Sequence, residues 1–174
     1  MNHTFVAKEN IQNMGLSYQK MSIFDAPQGS LLVHACNCKG VWGSGIAKEF
    51  ADRYPEAFLK YKKYTSGYDH NQIIGTFFLH DFIPNQFHKV GCLFTSVGYG
   101  RYKSPEKDIL EYTESAIKDC LEYMSYLCSA MQPVIYSNKF NSGLFEVPWE
   151  KTELILANQL QGYPEIQWIV CEID

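Results

Sequence analysis

The chain alternates between short apolar segments and longer amphipathic ones. The apolar segments are rich in β-branched and aromatic residues and are bounded by turn-forming residues, a pattern typical of β-strands. Six strands are predicted, at residues 16–24, 30–37, 72–80, 89–97, 132–140 and 165–173. The sequence HTFVA at residues 3–7 predicts an additional edge strand.

The amphipathic segments predict helices. The clearest covers residues 104–128, where Ser104 can cap the helix and Pro105 suits its first turn. Its apolar face is formed at helical spacing by Ile109, Thr113, Ala116, Ile117, Cys120, Leu121, Met124 and Cys128. Further helices are predicted from near Gly45 to Tyr54, from Pro55 to about Tyr64 and from Pro148 to Leu160. Because strands and helices alternate, we predict an α/β fold with a mixed, largely parallel central sheet.

Composition narrows the class of protein. The 174 residues contain no low-complexity segment, repeat or linker, so we predict one domain spanning residues 1–174 and expect a monomer. The formal net charge of -4 disfavours extended binding to nucleic acid. No apolar run reaches the roughly 20 residues that cross a bilayer, and the N-terminus lacks the apolar core of a signal peptide. We therefore predict an intracellular protein without membrane contact, in the cytoplasm, with the nucleus as a second location.

The cysteines bear on both disulfides and metals. They are Cys36, Cys38, Cys92, Cys120, Cys128 and Cys171. Because most lie in apolar segments, we favour buried reduced thiols over a disulfide set. A zinc site is disfavoured, since Cys36 and Cys38 have the wrong spacing for a zinc knuckle and no second pair answers them. We expect no metal and no cofactor.

The stretch HACNCKGVWGSGIAKEF, residues 34–50, joins a strand to a helix through a glycine-rich loop. Ligands of open α/β sheets bind beyond the carboxyl ends of strands, where this loop begins. Gly40, Gly43 and Gly45 allow positive φ angles and close approach of a ligand, and a helix N-terminus attracts phosphate. The spacing is neither a Walker loop nor a dinucleotide fingerprint. Phosphate binding and a plain tight turn are both open from this stretch alone.

A second stretch, FNSGLFEVPWEKTE at residues 140–153, repeats the arrangement. An apolar strand leads into Asn141, Ser142 and Gly143, and a helix follows from Pro148. Two loops of the phosphate-binding type would then face one crevice.

The ordered motifs SIF (22–24), HACN (34–37), WGSGIA (42–47), FTS (94–96) and NSGLFEVPW (141–149) resemble those of macro domains, which bind ADP-ribose. The resemblance implies a three-layer α/β/α sandwich covering nearly the whole chain. Within that superfamily the two glycine-rich motifs most resemble the ADP-ribose 1″-phosphate phosphatases. These enzymes act on a product left by tRNA splicing, so the resemblance implies hydrolysis of ADP-ribose 1″-phosphate to ADP-ribose and phosphate.

The resemblance also implies a ligand-binding role for three groups of residues. The adenine would be bordered by Met21, Ser22 and Ile23. The distal ribose and diphosphate would contact Ala35, Cys36, Asn37, Trp42, Gly43, Ser44, Gly45, Ile46 and Ala47. The other side of the diphosphate would contact Asn141, Ser142, Gly143, Leu144, Phe145, Glu146 and Val147. Ser22 stands where most macro domains carry an Asp or Asn that accepts a hydrogen bond from the adenine amino group. We therefore expect either weaker selectivity for adenine or replacement of that acceptor by Asp25.

Hydrolysis of a phosphate monoester needs anion stabilisation, a positioned water and a proton donor. His34 is the candidate acid or base, with a core histidine as the equal alternative. Asn37 is expected to orient the ribose or the water, with a turn-forming role as the alternative. Cys36 lacks the Cys-x5-Arg context of a phosphatase nucleophile and is expected in the pocket wall. Trp42 and Phe145 are expected against the ligand, with core packing as the alternative.

Two further observations bear on the activity. Arg101 and Lys103, in the loop GYGRYK, either meet the terminal phosphate or are solvated. A related branch of the family uses a lysine and an aspartate to release ADP-ribose from glutamate, and the matching positions here are Ser96 and Phe145. That mechanism is therefore disfavoured. Three functions stay open: the phosphatase, an ADP-ribose-binding reader module, and a hydrolase of ADP-ribosylated protein or nucleic acid.

Overall fold

The computed structural model describes residues 15–127 and 133–173, and within them the chain forms one six-stranded sheet and five α-helices. The strands are β1 (Leu16–Lys20), β2 (Leu31–Asn37), β3 (Phe77–Leu79), β4 (Lys89–Ser96), β5 (Val134–Ser137) and β6 (Gln167–Glu172). The helices are α1 (Gly45–Arg53), α2 (Pro55–Ser66), α3 (His70–Ile73), α4 (Glu106–Leu127) and α5 (Trp149–Leu160). Single 3₁₀ turns lie at Ile23–Asp25 and Gly100–Tyr102.

The sheet has the order β1-β6-β5-β2-β4-β3. Every neighbouring pair is parallel except β3 and β4, which are antiparallel at one edge. The carboxyl ends of β5, β2 and β4 therefore lie side by side along one edge of the sheet. The loops that follow these three strands are brought together there, and this is what positions the candidate site.

Side chains alternate between the two faces of the sheet, as the two-residue period of a strand requires. In β2, Leu31 and Val33 join the core layer beneath α4 and α5, whereas Leu32 and Cys36 join the layer beneath α1 and α2. Helices thus cover both faces. The predicted three-layer α/β/α sandwich with a mixed, largely parallel sheet is confirmed.

The predicted elements are present, with different ends. The predicted helix 104–128 is found as α4, whose buried face includes Ile117 and Leu121. Cys128 and the strand predicted at residues 3–7 lie outside the described residues. None of the helices in the described part of the chain is long and apolar enough to cross a membrane.

One strand prediction was partly wrong. Residues 72–80 were predicted as a strand, but the segment begins in the short helix α3 and only Phe77–Leu79 pair with β4. The helix forms because the Asp69 side chain accepts from the Asn71 N–H while the Gln72 side chain accepts from the Asp69 N–H. Similarly, β1 ends at Lys20 because Ser22 starts a 3₁₀ turn by accepting from the Phe24 N–H.

Candidate active site

A cavity of about 900 Å³ opens where β5, β2 and β4 end. Its wall is formed by the end of β2 with the loop into α1, by the loop after β4, and by the loop after β5. The first and third segments are the two glycine-rich stretches that the sequence singles out. A cavity of this size is in the usual range for a nucleotide-sized ligand.

The loop after β2 is organised by Asn37. Its side-chain amide donates to the Val41 carbonyl at 2.8 Å, and its Oδ1 accepts from the Lys39 N–H at 2.9 Å. The Tyr61 hydroxyl donates to the Asn37 backbone carbonyl at 2.7 Å. Asn37 is only 6% exposed, so its contacts favour the turn-forming role over direct handling of the substrate.

The start of α1 presents backbone N–H groups in this wall. Gly45 is the first residue of the helix and has a φ of 60°, which favours glycine. The preceding Ser44 makes no side-chain capping bond, so the first N–H groups of α1 keep their hydrogen-bonding capacity. A Cβ built on Gly45 would lie 3.6 Å from Cδ1 of Leu144, which places the two glycine-rich loops face to face.

The loop after β5 is anchored by Asn141, which is 4% exposed. The Thr95 hydroxyl donates to its Oδ1 at 2.7 Å, and its Nδ2 donates to Thr113 Oγ1 at 2.9 Å and to Thr152 Oγ1 at 3.4 Å. These bonds tie the loop to β4, α4 and α5. Asn141 lies in the cavity wall, but its side-chain amide forms hydrogen bonds with buried threonines of the protein itself. The sequence did not predict this structural role.

Most residues that the resemblance assigns to the ligand lie together in the cavity wall. They are Ala35, Cys36, Asn37, Trp42, Gly43, Ser44, Gly45, Ile46, Ala47, Asn141, Gly143, Leu144, Phe145 and Glu146. Five others are not among the residues that line it: Met21, Ser22, Ile23, Ser142 and Val147. Ile23 and Val147 are core residues, 2% and 1% exposed, and the Ser142 hydroxyl donates to the Lys139 carbonyl.

The catalytic candidate His34 lies outside the wall. It is 0% exposed, its ring stacks on Phe50 with 4.2 Å between the ring centroids, and it meets Trp42 edge-on with 4.6 Å between the centroids. Burial lowers the pKa of His34 to about 3, so the imidazole is neutral at physiological pH. Its placement favours the core alternative that the sequence left open. Trp42 packs in the core, with its ring stacked on Tyr61 at 4.7 Å, and it also lines the cavity, so contact with the ligand stays a prediction.

His34, Cys36 and Cys92 bring three donor atoms within 4.8 Å of one another in the core. Spacing along the chain did not reveal this group, because it depends on the pairing of His34 in β2 with Cys92 in β4. Burial raises the pKa of the Cys36 thiol well above its usual value and therefore opposes formation of the thiolate that a metal needs. We assign no metal to this group. The described cysteines, Cys36, Cys38, Cys92, Cys120 and Cys171, are free and buried.

Two parts of the wall were missed or left undecided by the sequence. The loop after β4 contributes Tyr99, Gly100, Arg101 and Lys103, and the Lys103 ammonium lies 3.0 Å from the Glu146 carboxylate across the cavity mouth. Asn138, at the end of β5, places a buried Oδ1 that has no hydrogen-bond partner among the described residues. The signal that could have found both is position, because each lies in the segment after a strand whose carboxyl end meets the cavity.

Residues 33–156 match the sequence profile of the Macro domain family. An ADP-ribose 1″-phosphate phosphatase of Aspergillus fumigatus is 36% identical over 174 residues, covering 78% of this chain and 86% of that protein. A protein of the same name from Lodderomyces elongisporus is 36% identical over 153 residues, covering 82% and 91%. The macrodomain of Mycobacterium tuberculosis DarG has a similar structure, with a TM-score of 0.74, 25% identity and coverage of 90% and 96%. The chain belongs to the macro domain family.

Proposed function

We propose that this protein is a phosphatase that hydrolyses ADP-ribose 1″-phosphate to ADP-ribose and inorganic phosphate. The observation that carries the proposal is the cavity itself, in which the uncapped start of α1 faces the glycine-rich loop after β5. Relatives that carry the name of this activity match most of the chain at 31% identity or more. The same features support ADP-ribose as the bound product.

Binding of the nucleotide follows from the donors and surfaces of the wall. The free N–H groups at the start of α1 would donate hydrogen bonds to the diphosphate, so that no charged side chain is needed to hold it. Leu144 and Phe145 would pack against the ribose and exclude bulk water. The adenine would extend past the described cavity toward residues 21–23, where the Ser22 hydroxyl is already engaged with the Phe24 N–H.

The chemical step would be attack of water on phosphorus, with the anomeric oxygen of ADP-ribose as the leaving group. A phosphate monoester of this kind needs positioning and charge stabilisation more than a covalent nucleophile. Cys36 does not fit a nucleophilic role because its thiol is buried and its pKa is raised. The unpartnered Oδ1 of Asn138 is an acceptor suited to orienting the attacking water.

The proposal extends to the biological role, location and oligomeric state of the protein. We propose that the substrate arises as a by-product of tRNA splicing and that the protein removes it in the cytoplasm, with the nucleus as a second location. We propose that one macro domain accounts for residues 1–174, that it acts as a monomer, and that its partner is a small molecule instead of a membrane or extended nucleic acid.

The proposal is tested by incubating the protein with ADP-ribose 1″-phosphate and separating the products by chromatography. We expect phosphate and ADP-ribose to form in equal amounts. Calorimetry with ADP-ribose, AMP and ribose 5-phosphate is the companion measurement, because it reports binding without turnover. Binding of ADP-ribose with no release of phosphate would contradict the phosphatase and leave a reader module, and no binding at all would remove the whole proposal.

A further inference from the structure

We propose that Lys103 is the specificity-determining cation for the terminal phosphate of the substrate. In the free protein the Glu146 carboxylate pairs with the Lys103 ammonium group, and the substrate phosphate displaces that carboxylate. This inference rests on the proposed function and deepens it. It assigns a subsite for a phosphate monoester to one end of the cavity, separate from the donors that hold the diphosphate.

The charges of the wall single out this position. Among the residues that line the cavity, those with formal charges are Arg101, Lys103 and Glu146. ADP-ribose and ADP-ribose 1″-phosphate differ only in one phosphate group, which carries about -1.5 to -2 charges at neutral pH, as other phosphate monoesters do. A cation placed where that group lies would therefore distinguish the two ligands by charge.

Lys103 and Glu146 reach the same point from two different loops. Lys103 follows β4 and Glu146 follows β5, and the two strands flank β2 in the sheet. The Lys103 ammonium lies 3.0 Å from the Glu146 carboxylate, and the two side chains are 29% and 72% exposed. The pair thus joins two loops that line the cavity while staying accessible to a ligand.

Hydrogen bonds hold the backbone at Glu146 and next to Lys103. Next to Lys103, the Ser104 N–H donates to Ser96 Oγ at 2.9 Å, and Ser104 Oγ accepts from the Val97 N–H at 3.0 Å. Glu146 has a φ of 60°, and its N–H donates to the Gly143 carbonyl at 3.0 Å. Only the side chains need to move for the ion pair to open, so the exchange requires no change of fold.

The exchange is favourable because the resident ion pair is weak and its replacement is strong. An exposed lysine–carboxylate pair contributes little, since water screens it. A phosphate dianion offers more charge and more acceptor oxygens to the same ammonium group. Arg101 is less available, because its guanidinium donates to the Tyr102 hydroxyl at 2.9 Å and lies over that ring.

The test compares dissociation constants, or KM values where turnover occurs, for ADP-ribose 1″-phosphate and for ADP-ribose. Lys103→Gln should weaken binding of the 1″-phosphate about 10- to 100-fold, the effect of losing a charged hydrogen bond, and should change ADP-ribose affinity less than about twofold. Glu146→Gln should change the 1″-phosphate affinity in the opposite direction, because it removes the competing carboxylate. Lys103→Arg should restore most of the discrimination.

Lys151→Gln is the matched control, since Lys151 forms a comparable exposed pair with Glu106 at 2.8 Å outside the cavity wall and should leave both affinities unchanged. Melting temperatures of all variants check that the fold is kept. Equal weakening of both ligands by Lys103→Gln, or weakening of the 1″-phosphate by Glu146→Gln, would overturn the proposal. Failure of the proposed function is distinguishable, because then the unaltered protein would itself release no phosphate from ADP-ribose 1″-phosphate, whether or not it binds ADP-ribose.

Discussion

At the scale of single residues, the polar side chains of the two glycine-rich motifs work mostly on the protein itself. Asn37 closes the turn after β2, and Asn141 joins three threonine hydroxyls behind the loop after β5. The ligand is left with backbone N–H groups and with a few side chains such as Lys103. Motif residues therefore secure the geometry of this site by holding loops in place.

We predict that Asn141→Ala destabilises the protein by about 2–4 kcal/mol, because three buried threonine hydroxyls each lose a hydrogen bond and the φ of 67° at this position disfavours alanine. Urea denaturation measures the change. Asn85→Ala is the control, because Asn85 has a similar φ of 64° but is exposed. Equal losses in the two variants would show that the backbone angle, and not the hydrogen-bond network, is responsible.

A second prediction concerns His34 and pH. Because burial lowers the pKa of His34 to about 3 from 6.5, the unfolded chain binds a proton below pH 6.5 that the folded chain does not bind. The free energy of unfolding should therefore fall as the pH drops below 6.5, with a contribution from His34 of about 2 kcal/mol between pH 7 and pH 5. The neighbouring Cys36 thiol stays protonated throughout, because burial raises its pKa.

His34→Phe keeps an aromatic ring beside Phe50 and removes the titration. The difference in the free energy of unfolding between pH 7 and pH 5 should be about 2 kcal/mol smaller in this variant than in the unaltered protein. His80, whose pKa is also lowered, contributes equally in both proteins and drops out of the comparison. The rate of phosphate release per folded molecule should change less than about tenfold. A loss of 10²-fold or more would instead restore His34 as an acid or base.

At the scale of elements, the start of α1 is the feature to which the proposed function assigns the diphosphate. We predict that Gly45→Glu abolishes ADP-ribose binding while the fold is kept, because it places bulk and a like charge where the diphosphate lies. The new Cβ meets Leu144 at 3.6 Å, an ordinary contact, so the strain is limited to the φ of 60°. Calorimetry with ADP-ribose gives the measurement.

The matched control is Gly29→Glu. Gly29 also has a positive φ, of 84°, and a Cβ there would have no atom within 4 Å, but it lies outside the cavity wall. This variant adds the same charge under comparable backbone strain and should bind ADP-ribose normally. Normal binding by Gly45→Glu would mean that the diphosphate lies elsewhere.

The sequence was informative about elements and less so about their arrangement. The sequence predicts the alternation of strands and helices and the two glycine-rich loops at strand ends, because both features depend on local patterns. The contribution of Arg101 and Lys103 was undecided because it depends on β4 lying next to β2, a pairing that no local pattern reveals. The inward direction of His34 and Asn141 likewise depends on which face of the sheet or loop becomes buried.

At the scale of the whole molecule, one property of the sheet creates the site. Because β5, β2 and β4 are parallel neighbours, their three following loops end at one edge and enclose the cavity. β1 and β6 extend the same sheet beyond the loops, and their carboxyl ends lie in the direction in which the adenine would extend. The protein thus presents neutral donors at the centre of the cavity and a lysine at its mouth.

Hydrolysis of ADP-ribose 1″-phosphate in water enriched in ¹⁸O, followed by mass analysis of the phosphate released, identifies the atom that water attacks. If water attacks phosphorus, one ¹⁸O atom enters each phosphate, and we predict this result. It should also hold in the presence of a chelator, since the backbone N–H groups of α1 and the ammonium of Lys103 supply the anion stabilisation. Released phosphate without the label would contradict the account, because water would then have attacked the anomeric carbon, which is the chemistry of an ADP-ribosyl hydrolase.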